Sequence, residues 1–266
     1  MRENDTYSIK RSTEEMANRI CSILYNCSPS VYIYGSVALN DFRSGWSDID
    51  ILVLTQKQIS EDQAQELVSL RQSMTEEDPD NPYYGIYEGG MLSLSAFIQH
   101  RKDRVVYWGS SGEYVTDTFH FDSFCMMQLI DNGILYAGED IRRSLEYPTY
   151  KDLRTDVQQV LNTVRWYASK TGRSLHSFGW LLDISRCIYT LRTGKIAAKT
   201  FAGEWAFRNN LCPSPKCLQT AIMLRHTPAL LKKDQKLLDY AATLGDEIQA
   251  YADVLEKEFD STRKDT

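Results

Sequence analysis

Two short apolar runs, residues 31–34 and 49–55, flank a polar interval that opens with Gly35-Ser36 and closes with Ser47-Asp48-Ile49-Asp50. Runs of this length, rich in β-branched and aliphatic side chains, read as buried strands. Gly35 lets the backbone turn sharply after the first strand, so the Ser36 hydroxyl and the amides that follow can approach a phosphate closely. Residues two apart on a strand share a face, which places the Asp48 and Asp50 carboxylates side by side at the mouth of the second strand. Two carboxylates so close repel unless a cation lies between them. Mg²⁺ suits the pair, because it takes a few hard oxygen ligands together with substrate phosphates.

The remainder of the first half alternates helix and strand. Apolar residues Met16, Ile20, Ile23 and Leu24 predict a helix over 12–25, and Ala64, Leu67 and Leu70 predict an amphipathic one over 59–76. Residues 92–98 read as a third strand and 104–109 as a fourth. From about residue 122 onward the apolar spacing is helical and strand signals disappear. The expected architecture is an α/β domain over 1–150, with a mixed sheet flanked by helices. An all-α helical bundle follows over 151–266. Within it Gly194 ends a helix over 178–192, Lys199 begins the next, and Arg186 lies mid-helix.

Composition narrows the partners. Hydrophobic residues make up 42% and charged residues 25%, ordinary for a chain that folds. A formal net charge of −6 offers no field for a polyanion, so nucleic acid is not expected as a partner. The charged first sixteen residues and the lack of an 18-residue apolar run predict a cytoplasmic protein with no membrane partner. Cys212 and Cys217 are close in sequence, but CPSPKC has no second pair to complete a zinc site.

The stretch GSVALNDFRSGWSDID resembles the signature of the DNA polymerase β-type nucleotidyltransferases. A second stretch, DISRCIYTLRTGKIAAKTFAGEWA from Asp183 to Ala206, resembles the C-terminal helical domain of the streptomycin/spectinomycin adenylyltransferases. The first resemblance implies that Asp48 and Asp50 hold Mg²⁺ and that Gly35, Ser36 and Ser47 belong to the nucleotide site. The second implies that Arg186 and Lys199 contact the phosphates of ATP, the helical domain closing the nucleotide and acceptor cleft. The implied reaction moves AMP from ATP to a hydroxyl of a small-molecule acceptor, of the aminoglycoside antibiotic type, with release of pyrophosphate.

That family takes a third carboxylate, the base toward the acceptor, from the next strand. Here that strand is read as 92–98, so Ser93 and Ser95 stand where the acid is expected, and serine is no base at neutral pH. Glu88, Glu113 and Asp183 are then the candidate bases, with Glu88 grouped among the catalytic residues. Two other functions stay open: a protein-modifying nucleotidyltransferase, and a nucleotide-binding module of weak activity.

Overall fold

The computed structural model describes residues 8–262, so the first seven residues of the segment on which the leader reading rested lie outside it. The chain divides into two compact units, one comprising residues up to 40, 48–121 and 125–147, the other 41–47, 122–124 and 148 onward.

In the first unit the elements run α1 (Ile9–Ile23), β1 (Pro29–Ile33), α2 (Gly35–Ala38), β2 (Ile49–Thr55), α3 (Glu61–Glu77), β3 (Tyr87–Ser93), α4 (Leu94–Gln99), β4 (Val105–Gly109), β5 (Gly112–Thr116), α5 (Ser123–Asn132) and β6 (Ile134–Ala137). The described strands form one mixed sheet in the order β5-β4-β3-β2-β1-β6, in which only β2 and β3 pair in parallel. A parallel neighbour needs a crossover, and α3 supplies it. Ser60 starts α3 with a capping box, its hydroxyl accepting from Gln63 N while the Gln63 side chain accepts from Ser60 N. Ala64, Leu67, Leu70 and Met74 line its buried side at helical spacing. Against that side stands Trp108, fully buried, whose indole N–H donates to Leu67 O at 2.9 Å. The opposite sheet face carries a second apolar cluster, including Leu52, Leu54, Leu92 and Phe97.

The sheet corrects three expectations. The third strand is 87–93 rather than 92–98, and residues 94–99 form a helix. Gly89-Gly90 concealed the strand, since glycine is a poor strand former. Here a Cβ on Gly89 would stand 1.7 Å from Ile51 O and one on Gly90 2.6 Å from the Phe119 ring, so neither position has room for one. Ser93 and Ser95 accordingly do not occupy the acid's place: the Ser93 hydroxyl caps α4 by accepting from Ala96 N, and Ser95 lies within that helix. Finally, strands do not end at residue 122. Gly133 stops α5, and residues 134–137 add β6 to the sheet edge beside β1.

The second unit holds α6 (Tyr150–Tyr167), α7 (Leu175–Thr193), α8 (Lys199–Arg208), α9 (Pro215–His226), α10 (Ala229–Lys233), α11 (Gln235–Ala241) and α12 (Gly245–Ser261). Helix α7 is buried on most sides, by Phe178, Leu181, Leu182, Ile184, Ile188 and Leu191, and packs against α6, α8, α9 and α12. It ends where predicted, at Gly194, with φ +66° and its N–H on Thr190 O. Lys199 opens α8, also as predicted.

Candidate active site

Strand register assembles the site in the first unit. β1 and β2 run antiparallel with Ile33 opposite Ile51, so the Gly35 turn at the end of β1 meets the start of β2. β2 and β3 run parallel with Asp50 opposite Glu88. Register partners on neighbouring strands share a face, which puts Glu88 beside Asp50; Asp48, just ahead of β2, lines one pocket with Glu88. The chain therefore does carry a third carboxylate next to the aspartate pair, and it lies at the start of β3.

Gly35 is forced by the same geometry. Its φ is +63°, and a Cβ there would stand 1.8 Å from Asp50 Oδ2, so the carboxylate occupies the space a side chain would need. Ser36, in the single turn α2, directs its hydroxyl to Asp48 O at 3.4 Å. Ser47 has a local role, accepting from Arg43 N at 3.0 Å to close the loop ahead of Asp48. A pocket of about 240 Å³ opens beside the acids, bounded by Asp48, Glu88, Arg71, Ser110 and the backbone of the glycines at 85, 109 and 112.

Of the three candidate bases, two are engaged elsewhere. Glu113 forms an ion pair with Arg71, whose guanidinium also donates to Tyr87 O at 2.6 Å and Gly109 O at 3.1 Å. Asp183 takes Lys199 Nζ at 3.0 Å and Arg186 at 3.4 Å. Burial pushes the Asp183 carboxyl up, but the charges of Lys199 and Arg186 outweigh it and hold the group below the ordinary carboxylate range. A carboxylate so stabilised is a weak proton acceptor. Among the described residues Glu88 has only hydrogen bonds, from the Tyr107 hydroxyl and Ser110 N.

Arg186 and Lys199 come together on Asp183 in the second unit, as neighbours across α7 and α8. Sequence reasoning missed what surrounds them. Asp41, in the loop ahead of Ser47, accepts from Thr200 N at 3.2 Å and from the Thr200 hydroxyl at 2.5 Å, capping the first turn of α8 from outside. It also pairs with Arg43 at 3.3 Å and with the buried Arg225 at 3.3 Å. Arg225 lies over the Trp46 ring at 5.3 Å. Four cations, Arg43, Arg186, Lys199 and Arg225, thus gather around two carboxylates, Asp41 and Asp183, in a protein that is acidic as a whole. The sequence signal was present in the acid and base of Asn40-Asp41-Phe42-Arg43, but nothing in it named Arg225 as their partner.

Comparison with known proteins narrows the chemistry. Residues 14–81 match the nucleotidyltransferase domain family. The match takes in Gly35, Ser36, Asp48 and Asp50 and stops short of Glu88. No curated protein sequence matches the chain. Among solved structures, spectinomycin adenyltransferase AAD(9) from Enterococcus faecialis, determined with ATP and spectinomycin, is similar over 94% of this chain and 100% of that one, with a TM-score of 0.65 and 14% identity. At that identity the likeness is one of fold. The chain resembles a polymerase β-type nucleotidyltransferase over the matched segment and has the fold of the adenyltransferase.

Asp48 and Asp50, within the matched segment, fit a magnesium ion as a pair. Among the described residues no three His, Cys, Asp or Glu side chains converge tightly enough to hold a metal by themselves. Mg²⁺ does not require them to, because it commonly takes one or two carboxylates and completes its shell with water and phosphate oxygens. Cys212 and Cys217 approach within 3.8 Å, without a third ligand. No helix of the described residues is long and apolar enough to cross a membrane.

Proposed function

We propose that this chain is a Mg²⁺-dependent adenylyltransferase that transfers AMP from ATP to a hydroxyl of a small-molecule acceptor of the aminoglycoside or aminocyclitol type. The observation that carries the proposal is the register of Asp50 with Glu88 across parallel strands, with Asp48 lining one pocket with Glu88 and Gly35 making room for the Asp50 carboxylate. Asp48 and Asp50 hold the metal, Gly35 and Ser36 admit the phosphates, and Arg186 and Lys199 bind the triphosphate by charge-assisted hydrogen bonds. Glu88 accepts the proton of the acceptor hydroxyl as that oxygen bonds to the α-phosphorus and pyrophosphate leaves. Bound Mg²⁺ supplies Lewis acidity toward the phosphates and the hydroxyl.

Support for ATP and for an antibiotic acceptor comes from the similar AAD(9), solved with ATP and spectinomycin. The acidic net charge suits a cationic acceptor and disfavours a nucleic acid. The reading as a weakly active nucleotide-binding module rested on serines in the acid's place, and with Glu88 beside Asp50 that ground is gone. A pyrophosphate-release screen of ATP, GTP and CTP against aminoglycosides, spectinomycin and lincosamides tests the proposal. Turnover with ATP that needs Mg²⁺ and disappears in Asp48→Asn and in Asp50→Asn is expected. Full activity in both variants, or no turnover with any pair, would falsify it.

A further inference from the structure

Both hydrogen bonds that Glu88 receives fall on one oxygen. The Tyr107 hydroxyl donates to Oε1 at 3.2 Å and Ser110 N donates to it at 3.4 Å, while Oε2 takes none from the described residues. A carboxylate held at one oxygen leaves the other for a ligand, and Glu88 lines the pocket that Asp48 and Ser110 also bound. Tyr107 lies on β4 opposite Gly90 of β3, and the alternation of β3 puts Gly90 and Glu88 on one face. Burial and the neighbouring Glu88 charge push the Tyr107 phenol up, so it stays protonated and remains a donor.

The ring is secured independently of that bond. Tyr114 packs against it at 5.2 Å between centroids, and Phe119 at 6.5 Å. Gly109 lies directly beneath: a Cβ there would come within 2.6 Å of the Tyr107 hydroxyl oxygen. Removing the hydroxyl alone therefore leaves the packing in place and takes away one of the two donors that hold Glu88.

We propose that Tyr107 is a positioning residue that fixes Glu88 Oε1 so that Oε2 faces the acceptor hydroxyl. The proposal rests on the reading of Glu88 as the base, and the experiment separates the two. The full chain and its Tyr107→Phe, Glu88→Gln and doubly substituted variants are compared by pyrophosphate release, using ATP and the acceptor turned over fastest in the screen. In Tyr107→Phe kcat should fall about tenfold with KM for ATP within about twofold, because the hydroxyl acts on the base and not on the nucleotide. The double variant should be no slower than Glu88→Gln, since the hydroxyl has no role once the carboxylate is gone. Wild-type kcat in Tyr107→Phe beside a slow Glu88→Gln, or losses that multiply in the double variant, would overturn the positioning role alone. An unimpaired Glu88→Gln would overturn the assignment of the base, and the positioning role with it.

Discussion

Gly35 and Gly45 both adopt a left-handed backbone, with φ of +63° and +80°, yet only one of them touches the chemistry. A Cβ on Gly45 would meet nothing within 4 Å, so Gly45→Ala should cost only the left-handed strain, about 1–2 kcal/mol. Gly35→Ala adds a collision with the Asp50 carboxylate. It should lose more stability than Gly45→Ala in urea unfolding and should also lose nucleotidyl transfer. Equal stability losses, with activity kept in both variants, would mean that Asp50 shifts freely and is not held against the turn. The paired carboxylates were legible from the Asp-x-Asp spacing alone. The need for glycine at 35 was legible only as a turn, because the second reason, the nearness of Asp50, is a contact between strands.

At the scale of elements, the junction of β3 and α4 shows how a sequence pattern misleads. Leu92, Leu94 and Phe97 alternate loosely with serines, which looks like a strand, but Ser93 is a helix cap and its backbone N–H donates to Asp103 Oδ2 at 2.9 Å. Ser93→Ala should cost about 1 kcal/mol as a lost cap. Ser93→Glu should destabilise further and give no rate gain, since it brings a second carboxylate to a buried position beside Asp103. Thermal unfolding and pyrophosphate release check both variants. Burial pushes the Asp103 carboxyl up, but donors from Ser93, Gln58 and Arg104 outweigh it and hold the group below its ordinary value. A depressed carboxyl stabilises the fold above its unfolded pKa, about 3.9, and loses that contribution as pH falls through the folded value. Asp103→Asn should therefore be less stable than wild type at neutral pH, with the gap narrowing in acid below about pH 4. A gap that is constant with pH would show that the carboxylate charge is not what the donors stabilise.

For the whole molecule the telling feature is charge that the sequence scatters and the fold collects. Asp41 and Arg225 are both nearly fully buried, and burial pulls the Arg225 guanidinium down while Asp41 holds it up. Removing one member of such a pair leaves the other desolvated and uncompensated, which typically costs about 3–5 kcal/mol. Asp41→Ala should lower the denaturant midpoint of the helical unit by a corresponding amount and loosen the first turn of α8, where Lys199 sits. Hydrogen exchange at Thr200 N measures the second effect; unchanged protection would show that Asp41 is not its cap. Arg186→Ala and Lys199→Ala should weaken ATP far more than adenosine in calorimetry, as their proposed partners are phosphates. Equal weakening of both ligands would remove these two residues from the triphosphate site.

What the sequence determined by itself was local. Strand β2, helix α3, the Gly194 cap and the start of α8 followed from periodicity and capping chemistry, which act within a few residues. The proposed metal pair was visible for the same reason, since Asp50 lies on β2 and Asp48 immediately precedes that strand. Glu88 was recognised as a candidate but could not be chosen over Glu113 and Asp183. Its claim depends on β3 lying parallel to β2 in one register, and a register is a contact between segments far apart in sequence. The same holds for β6, whose four residues form a strand only because the edge of β1 is there to pair with. Ion pairing of Glu113 by Arg71 and of Asp183 by Lys199 and Arg186, on which the proposal of Glu88 as the base draws, was decided by tertiary structure alone, because charges cancel through space and not along the chain.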